Sequence, residues 1–175
     1  MSQIKVNSIV PVGGLQSGAN GGIIQVVEHI KTDVTSTTGT SYSDISGMAA
    51  SITPSSSSNK VLVVVTLGQL TGEDSISVAL CTADGTSILQ GDSVSGKNSV
   101  STGGYSGGNS TGQGWYGVQG YTFSKLHSPA TTSAVTYKLR WFVNTATGYL
   151  NRTVYDASQY GFRTASTITL YEVTT

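Results

Sequence analysis

Short apolar segments separated by turn-forming residues recur along the chain, and no segment repeats its apolar residues with a helical period. The strongest signal is Lys60 to Leu70 (KVLVVVTLGQL), an apolar, β-branched run that predicts a central buried strand. The segment from Ser75 to Ala83 alternates with a period of two. Its Ile76, Val78 and Leu80 are expected to share one face of a strand.

Turn-forming residues divide the rest of the chain into further short segments. The other predicted strands are Ile23 to Thr32, Ser41 to Ile45, Met48 to Thr53, Thr86 to Gln90, Trp115 to Leu126, Ser133 to Asn144, Tyr149 to Tyr155 and Thr167 to Val173. Gly47 is expected to break the chain between two of them, and Asp84-Gly85 is a two-residue hairpin signal. About eight to ten strands at this spacing predict an all-β fold, an antiparallel β-sandwich of jelly-roll-like kind.

Two glycine-rich segments interrupt the strand pattern. The first, residues 13–22 (GGLQSGANGG), follows a short apolar patch and is too rich in glycine for a packed strand or helix. We therefore predict an extended docking arm over residues 1–22, ahead of one sandwich domain over residues 23–175. The docking residues of the arm would be Ile4, Val6, Ile9, Val10 and Val12. The second segment, Gly91 to Gly114, predicts a long loop, and such loops are functional or disordered.

The low charge of the chain excludes some classes of function. Only 10% of the 175 residues are charged and the formal net charge is zero, whereas ordinary domains carry about 25% charged residues. Nucleic-acid binders need a basic stripe, so we expect no nucleic-acid partner. A surface of Ser and Thr suits dry contact between subunits, because few charges lose water there. With no apolar run of ~18 residues and no signal-peptide pattern, we expect that the chain does not insert into a membrane. We also expect that it is synthesised in the cytoplasm.

The sequence lacks the patterns of catalytic, cofactor and metal sites. His29 and His127 have no partner at metal-ligand spacing, which favours surface or interface histidines. The single Cys81 lies in an apolar run and is expected to be a buried, inert thiol. No nucleophile elbow and no phosphate-binding loop occur. We therefore predict a protein that is not an enzyme and needs no cofactor.

Glycan cleavage would require two facing carboxylates. The candidate acids are Glu28, Asp33, Asp44, Glu73, Asp74, Asp84, Asp92, Asp156 and Glu172. Of these, Glu73, Asp74 and Asp84 fall in predicted turns, where acids cap the backbone. Two glycosylation sequons, at Asn109 and Asn151, carry little weight without a secretory context.

Aromatic residues are concentrated in the second half of the chain. The set comprises Tyr105, Trp115, Tyr116, Tyr121, Trp141, Tyr149, Tyr155, Tyr160 and Phe162. Tyr and Trp in exposed loops supply large, rigid contact area at low entropy cost. We predict a contact loop, for a sugar or a neighbouring chain, around Tyr105, Asn109, Trp115 and Tyr116. Trp141, inside the apolar YKLRWFV, is expected in the core.

Three segments carry a family resemblance: IKVNSIVPVGG with GGIIQVV, SGMAASITPSSSSNKVLVVV, and LHSPATTSAVTYKLR with the closing STITLYEV. Together they resemble the short tail-fibre and knob-type virion proteins of tailed bacteriophages, especially phages of aquatic bacteria. The resemblance implies β-sandwich modules, often trimeric, found in tail fibres and sometimes on heads. It supplies no catalytic motif.

The resemblance implies a homotrimer located in the virion. Its arm would dock to other virion proteins of the tail or capsid, and its loops would attach to the host surface. A tail-fibre module is the first interpretation and a head-decorating knob the second. A carbohydrate-binding or glycan-degrading module is a third, with a host cell-surface glycan as the ligand.

Overall fold

Twelve strands run through the part of the chain that the computed structural model describes, which is residues 22–105, 119–156, 159 and 161–174. The strands are β1 (Ile23–Lys31), β2 (Thr35–Thr37), β3 (Ser43–Ile52), β4 (Lys60–Leu67), β5 (Leu70–Gly72), β6 (Ser75–Thr82), β7 (Ser87–Leu89), β8 (Thr102–Tyr105), β9 (Tyr121–His127), β10 (Val135–Val143), β11 (Gly148–Leu150) and β12 (Ser166–Val173). No helix occurs among the described residues. The prediction of an all-β fold is confirmed.

The strands form three sheets, and every pairing between strands is antiparallel. A four-stranded sheet has the order β1-β12-β4-β9. A five-stranded sheet has the order β3-β10-β6-β7, and β8 also pairs with β6. A small sheet of order β2-β11-β5 completes the fold.

The core lies between the two larger sheets. β4 contributes every second residue, from Val61 to Leu67, while β10 contributes Tyr137, Leu139, Trp141 and Val143. Because each sheet turns one apolar face toward the other, the fold is an antiparallel β-sandwich. Trp141 is only 1% exposed, as expected for a core residue.

The segment around Gly47 forms one strand where two were predicted. Four residues of β3, Ile45 to Met48, stand opposite the single Leu139 of β10. This bulge lets Ile45 and Met48, three positions apart, both point into the core. Gly47 adopts a φ of 75°, which suits glycine. The alternation therefore shifts by one residue inside a continuous strand.

The hairpin at Asp84-Gly85 has three loop residues, not two. Thr82 N donates to Thr86 O at 2.9 Å, and Gly85 N donates to Thr82 O at 2.9 Å. Gly85 has a φ of 89°, the left-handed conformation that closes a three-residue hairpin loop.

Three other segments differ from their predictions. The strand predicted over Lys60 to Leu70 ends at Leu67, and β5 then joins a different sheet. The predicted loop Gly91 to Gly114 contains strand β8, which pairs with β6. The strand predicted over Tyr149 to Tyr155 stops at Leu150, because Asn151 takes a φ of 66° and turns the chain.

Candidate functional site

The described chain begins at one end of the sandwich, which we call the proximal end. Gly22 N donates to Thr174 Oγ1 at 2.8 Å, and Thr174 N donates to Gly22 O at 3.0 Å. The register then places Val173 beside Lys60. On β9, the neighbour of β4, His127 lies opposite Val61, so β9 ends at the proximal end. Residues 1–21 therefore join the domain at the proximal end.

The predicted contact loop connects to the domain at the opposite, distal end. Tyr105, the last residue of β8, lies opposite Ser75, where β6 begins. Tyr121, the first residue of β9, lies opposite Leu67, where β4 finishes. Residues 106–118 therefore link two points of the distal end.

Most of the predicted site residues lie outside the described residues. The arm residues Ile4, Val6, Ile9, Val10 and Val12 belong to this group. In the contact loop, Asn109, Trp115 and Tyr116 also lie outside it, whereas Tyr105 ends strand β8. Their predicted roles stay predictions.

A second distal segment presents aromatic side chains. Tyr155 is 47% exposed and Phe162 is 50% exposed, and both lie between β11 and β12. The Arg163 guanidinium bonds both carboxylate oxygens of Asp156, at 2.6 and 2.7 Å. This bidentate pair holds Asp156, which follows Tyr155, against Arg163, which follows Phe162.

Asn151 joins this distal segment to the sandwich. Its side-chain amide nitrogen donates to Lys31 O at 2.9 Å and Asp33 O at 3.1 Å. Its side-chain oxygen accepts from Ser166 Oγ at 2.6 Å. Asn151 is 0% exposed, so this sequon cannot accept a glycan in the folded chain. The other sequon, Asn109, lies outside the described residues.

The outward side of the four-stranded sheet carries a row of apolar residues, one from each strand. Val26 of β1 pairs with Tyr171 of β12, which pairs on its other side with Leu62 of β4. Leu62 in turn pairs with Leu126 of β9. Val26 is 55% exposed and Leu126 is 47% exposed. We call this side the outer face; it comprises Val26, Glu28, Ile30, Lys60, Leu62, Val64, Thr66, Thr122, Ser124, Leu126, Thr167, Thr169, Tyr171 and Val173.

Sequence reasoning did not identify the outer face. Its signal was present in β4, where Leu62 and Val64 continue the apolar run between the buried Val61, Val63 and Val65. A strand that is apolar on both faces is normally covered on both faces. The structure buries one face of β4 and leaves Leu62 and Val64 partly exposed.

A solvent-open cavity of about 390 Å³ lies at the proximal end. Its lining includes Asp84, His127, Pro129, Val135 and Thr136. Cavities of this volume are large enough for a small ligand, but a binding site also needs polar groups that remain available.

The polar groups of the cavity are engaged within the fold. Asp84 accepts from Thr82 Oγ1 at 2.6 Å and from Thr86 N at 3.1 Å, and these bonds lower its pKa to about 2. This confirms the prediction that Asp84 caps a turn. His127 Nδ1 lies 2.9 Å from the Tyr137 hydroxyl, and burial lowers the pKa of the imidazole. His127 is therefore a partly buried packing residue, while His29 is exposed.

Two other titratable side chains, Cys81 and Glu172, are buried in the fold. Cys81 is 2% exposed, and burial raises the pKa of its thiol, so the prediction of a buried thiol is confirmed. Glu172, 1% exposed, accepts from Ser55 N and Asn59 Nδ2, both at 2.6 Å. Its contacts tie β12 to the loop between β3 and β4.

Among the described residues, no group of three His, Cys, Asp or Glu side chains could hold a metal ion. Within the same ranges, no helix is long and apolar enough to span a membrane. Comparison of the chain with protein-family models and with curated protein sequences gives no match.

Proposed function

We propose that this chain is a structural protein of a bacteriophage particle. In this proposal the N-terminal segment attaches the sandwich to other virion proteins, and the distal loops face the host. The observation that carries it is the separation of the two connections: residues 1–21 join at the proximal end, and residues 106–118 join at the distal end. The sequence resemblance to tail-fibre and knob proteins supports the same function.

A trimeric tail-fibre module is our first choice, and a head-decorating knob is the alternative. Both use a sandwich with one attached end and one displayed end. A jelly-roll topology belongs to the same proposal. The strand orders support it, because β1 and β12 are neighbours and successive long strands change sheet, as in interlocked Greek keys.

A carbohydrate-binding role of the distal end is a second candidate. The exposed Tyr155 and Phe162 favour it, since aromatic rings stack on the apolar faces of sugars. We propose binding without cleavage: Asp74, Asp84 and Glu172 all accept hydrogen bonds that hold turns or loops. Purified protein should retain host envelope polysaccharide without releasing new reducing ends. Release of reducing ends would instead support a glycan-degrading module.

The attachment role is tested by deleting residues 2–21. Gly22 remains, because its bonds to Thr174 belong to the sandwich. We expect a folded domain with an unchanged circular dichroism spectrum that is absent from purified particles. A matched variant of full length carries I4S, V6S, I9S, V10S and V12S and tests the apolar residues alone. Normal incorporation of the deleted chain would contradict the proposal.

A further inference from the structure

We propose that the guanidinium group of Arg163, in the second distal segment, binds the carboxylate group of an acidic saccharide. This inference rests on the proposed carbohydrate-binding role of the distal end and assigns a class of ligand to it. Arg163 lies between β11 and β12, and its side chain is 52% exposed. A ligand in solution can therefore reach the guanidinium group.

The fold uses one edge of the Arg163 guanidinium and leaves a second edge for a ligand. Nη1 donates to Asp156 Oδ1 at 2.6 Å and Nη2 donates to Asp156 Oδ2 at 2.7 Å, while Nη1 also donates to Phe162 O at 3.4 Å. The two remaining donors are the Nε–H and the other N–H of Nη2, which form a parallel pair on the planar group. Among the described residues this pair has no acceptor. Such a pair of donors matches the two oxygens of a carboxylate.

The charges around Arg163 favour an anionic ligand. An isolated antiparallel bridge sets Arg152 opposite Arg163, and like charges in opposite positions destabilise a pairing. Asp156 pairs with both arginines, since its Oδ2 also lies 3.5 Å from Arg152 Nη1. Within the described part of the chain, no other acid forms an ion pair with either arginine. One positive charge is therefore uncompensated, and it attracts anions to this part of the distal end.

Arg152 supplies positive charge, but its own donors are engaged within the fold. Its Nε donates to Thr153 O and its Nη2 to Val154 O, both at 2.9 Å. Its guanidinium carbon lies 4.3 Å from the centre of the Tyr149 ring, a cation–π contact. The Arg152 side chain is only 19% exposed. Direct contact with a ligand therefore falls to Arg163.

The aromatic residues next to this ion pair indicate that the carboxylate is carried by a sugar. Phe162 precedes Arg163 and is 50% exposed, while Tyr155 precedes Asp156 and is 47% exposed. Aromatic rings pack on the apolar faces of sugars, and a few polar groups beside them fix the orientation of the ligand. A saccharide of a few sugar units can therefore contact an aromatic ring and the Arg163 guanidinium together.

The test is calorimetric titration of the purified full chain with oligogalacturonate and with the same oligosaccharide after methyl esterification, which removes its charge. The parent chain should bind the charged form roughly tenfold more tightly, the order of magnitude expected for charge-assisted hydrogen bonds. Arg163→Gln should abolish this preference. Arg163→Lys should restore only part of it, because an ammonium group lacks the parallel pair of donors. Lys97→Gln is the control, since it removes an exposed positive charge between β7 and β8, and it should keep the preference.

The outcomes separate this inference from the proposed function. Equal affinity of the parent chain for the two oligosaccharides would overturn the inference and leave the carbohydrate-binding role intact. Binding of neither form would overturn both, without affecting the attachment role of the N-terminal segment. An equal loss of both affinities in Arg163→Gln would show a structural role of Arg163 and would also overturn the inference. Parent-like affinity in Arg163→Lys would contradict the paired contact. Selective loss of the charged form in Arg163→Gln supports it.

Discussion

At the residue scale, the most informative side chain is Glu172. It lies on the inward side of β12, a place usually taken by an apolar residue. One carboxylate oxygen accepts from Ser55 N, Ser55 Oγ and Asn59 Nδ2 at 2.6 to 2.8 Å. The other faces the Gln25 amide at 3.2 Å. A buried carboxylate is tolerated here because its acceptors are satisfied.

Replacing Glu172 with Gln should destabilise the fold by about 2 kcal/mol, because a neutral amide oxygen accepts the hydrogen bonds from Ser55 and Asn59 more weakly than a carboxylate oxygen does. Burial raises the pKa of Glu172, but the hydrogen bonds from Asn59 and Ser55 outweigh it and lower the pKa below the ordinary 4.5. The carboxylate therefore stabilises the fold above pH 4.5, and this contribution is lost as the pH falls below that value.

Urea denaturation of the parent chain and E172Q at several pH values checks both parts of this prediction. The difference in unfolding free energy should shrink in acid. The exposed Glu73 provides the control, and E73Q should unfold like the parent. An equal effect of both substitutions at neutral pH would contradict the role of the Ser55 and Asn59 bonds.

At the element scale, β3 shows how a local irregularity keeps a strand continuous. Its bulge keeps the buried residues on the core side although their spacing changes at Gly47. A side chain at Gly47 would also stand 3.4 Å from the Nζ of the buried Lys31. The positive φ makes glycine the suitable residue, since a Cβ could be accommodated beside the flexible Lys31 side chain.

Gly47→Ala should therefore lower the unfolding free energy by about 1–2 kcal/mol, the usual cost of a left-handed conformation for a residue with a Cβ. Gly91→Ala is the matched control, because a Cβ there would meet nothing within 4 Å. Comparing the denaturant midpoints of the two variants with that of the parent chain tests this prediction. Equal midpoints would mean that the bulge does not require glycine.

At the scale of the whole molecule, residues 1–21 connect at the proximal end and residues 106–118 at the distal end, and this predicts how the protein is oriented on a particle. If the proximal end is attached, the distal end must point away from the particle. The loop between β3 and β4, with exposed Ser57, lies at the proximal end beside Lys60. It should face the surface to which the protein is attached.

An epitope tag inserted between Asn109 and Ser110 should bind antibody on intact particles. The same tag inserted after Ser57 should be accessible in the purified chain and shielded on the particle. Immunogold labelling of both tagged particles measures the difference. Stronger labelling of the Ser57 tag would reverse the proposed orientation.

The amino-acid sequence by itself determined the fold class and most strand positions, because alternation and turn residues act over a few neighbouring positions. It also indicated the buried Trp141 and Cys81, which lie inside apolar runs. Glu172 was considered only as a candidate acid, since its partner Ser55 is 117 positions away and no local pattern connects them.

Tertiary structure alone decided which strands are neighbours, and therefore which residues share a surface. The apolar row of the outer face draws one residue from each of four strands that are distant in the chain. The same register placed the N-terminal connection at one end and the two residues that flank residues 106–118 most closely in strands, Tyr105 and Tyr121, at the other. The physical reason is that pairing between strands depends on the packing of the whole core, whereas the periodicity of each strand is local.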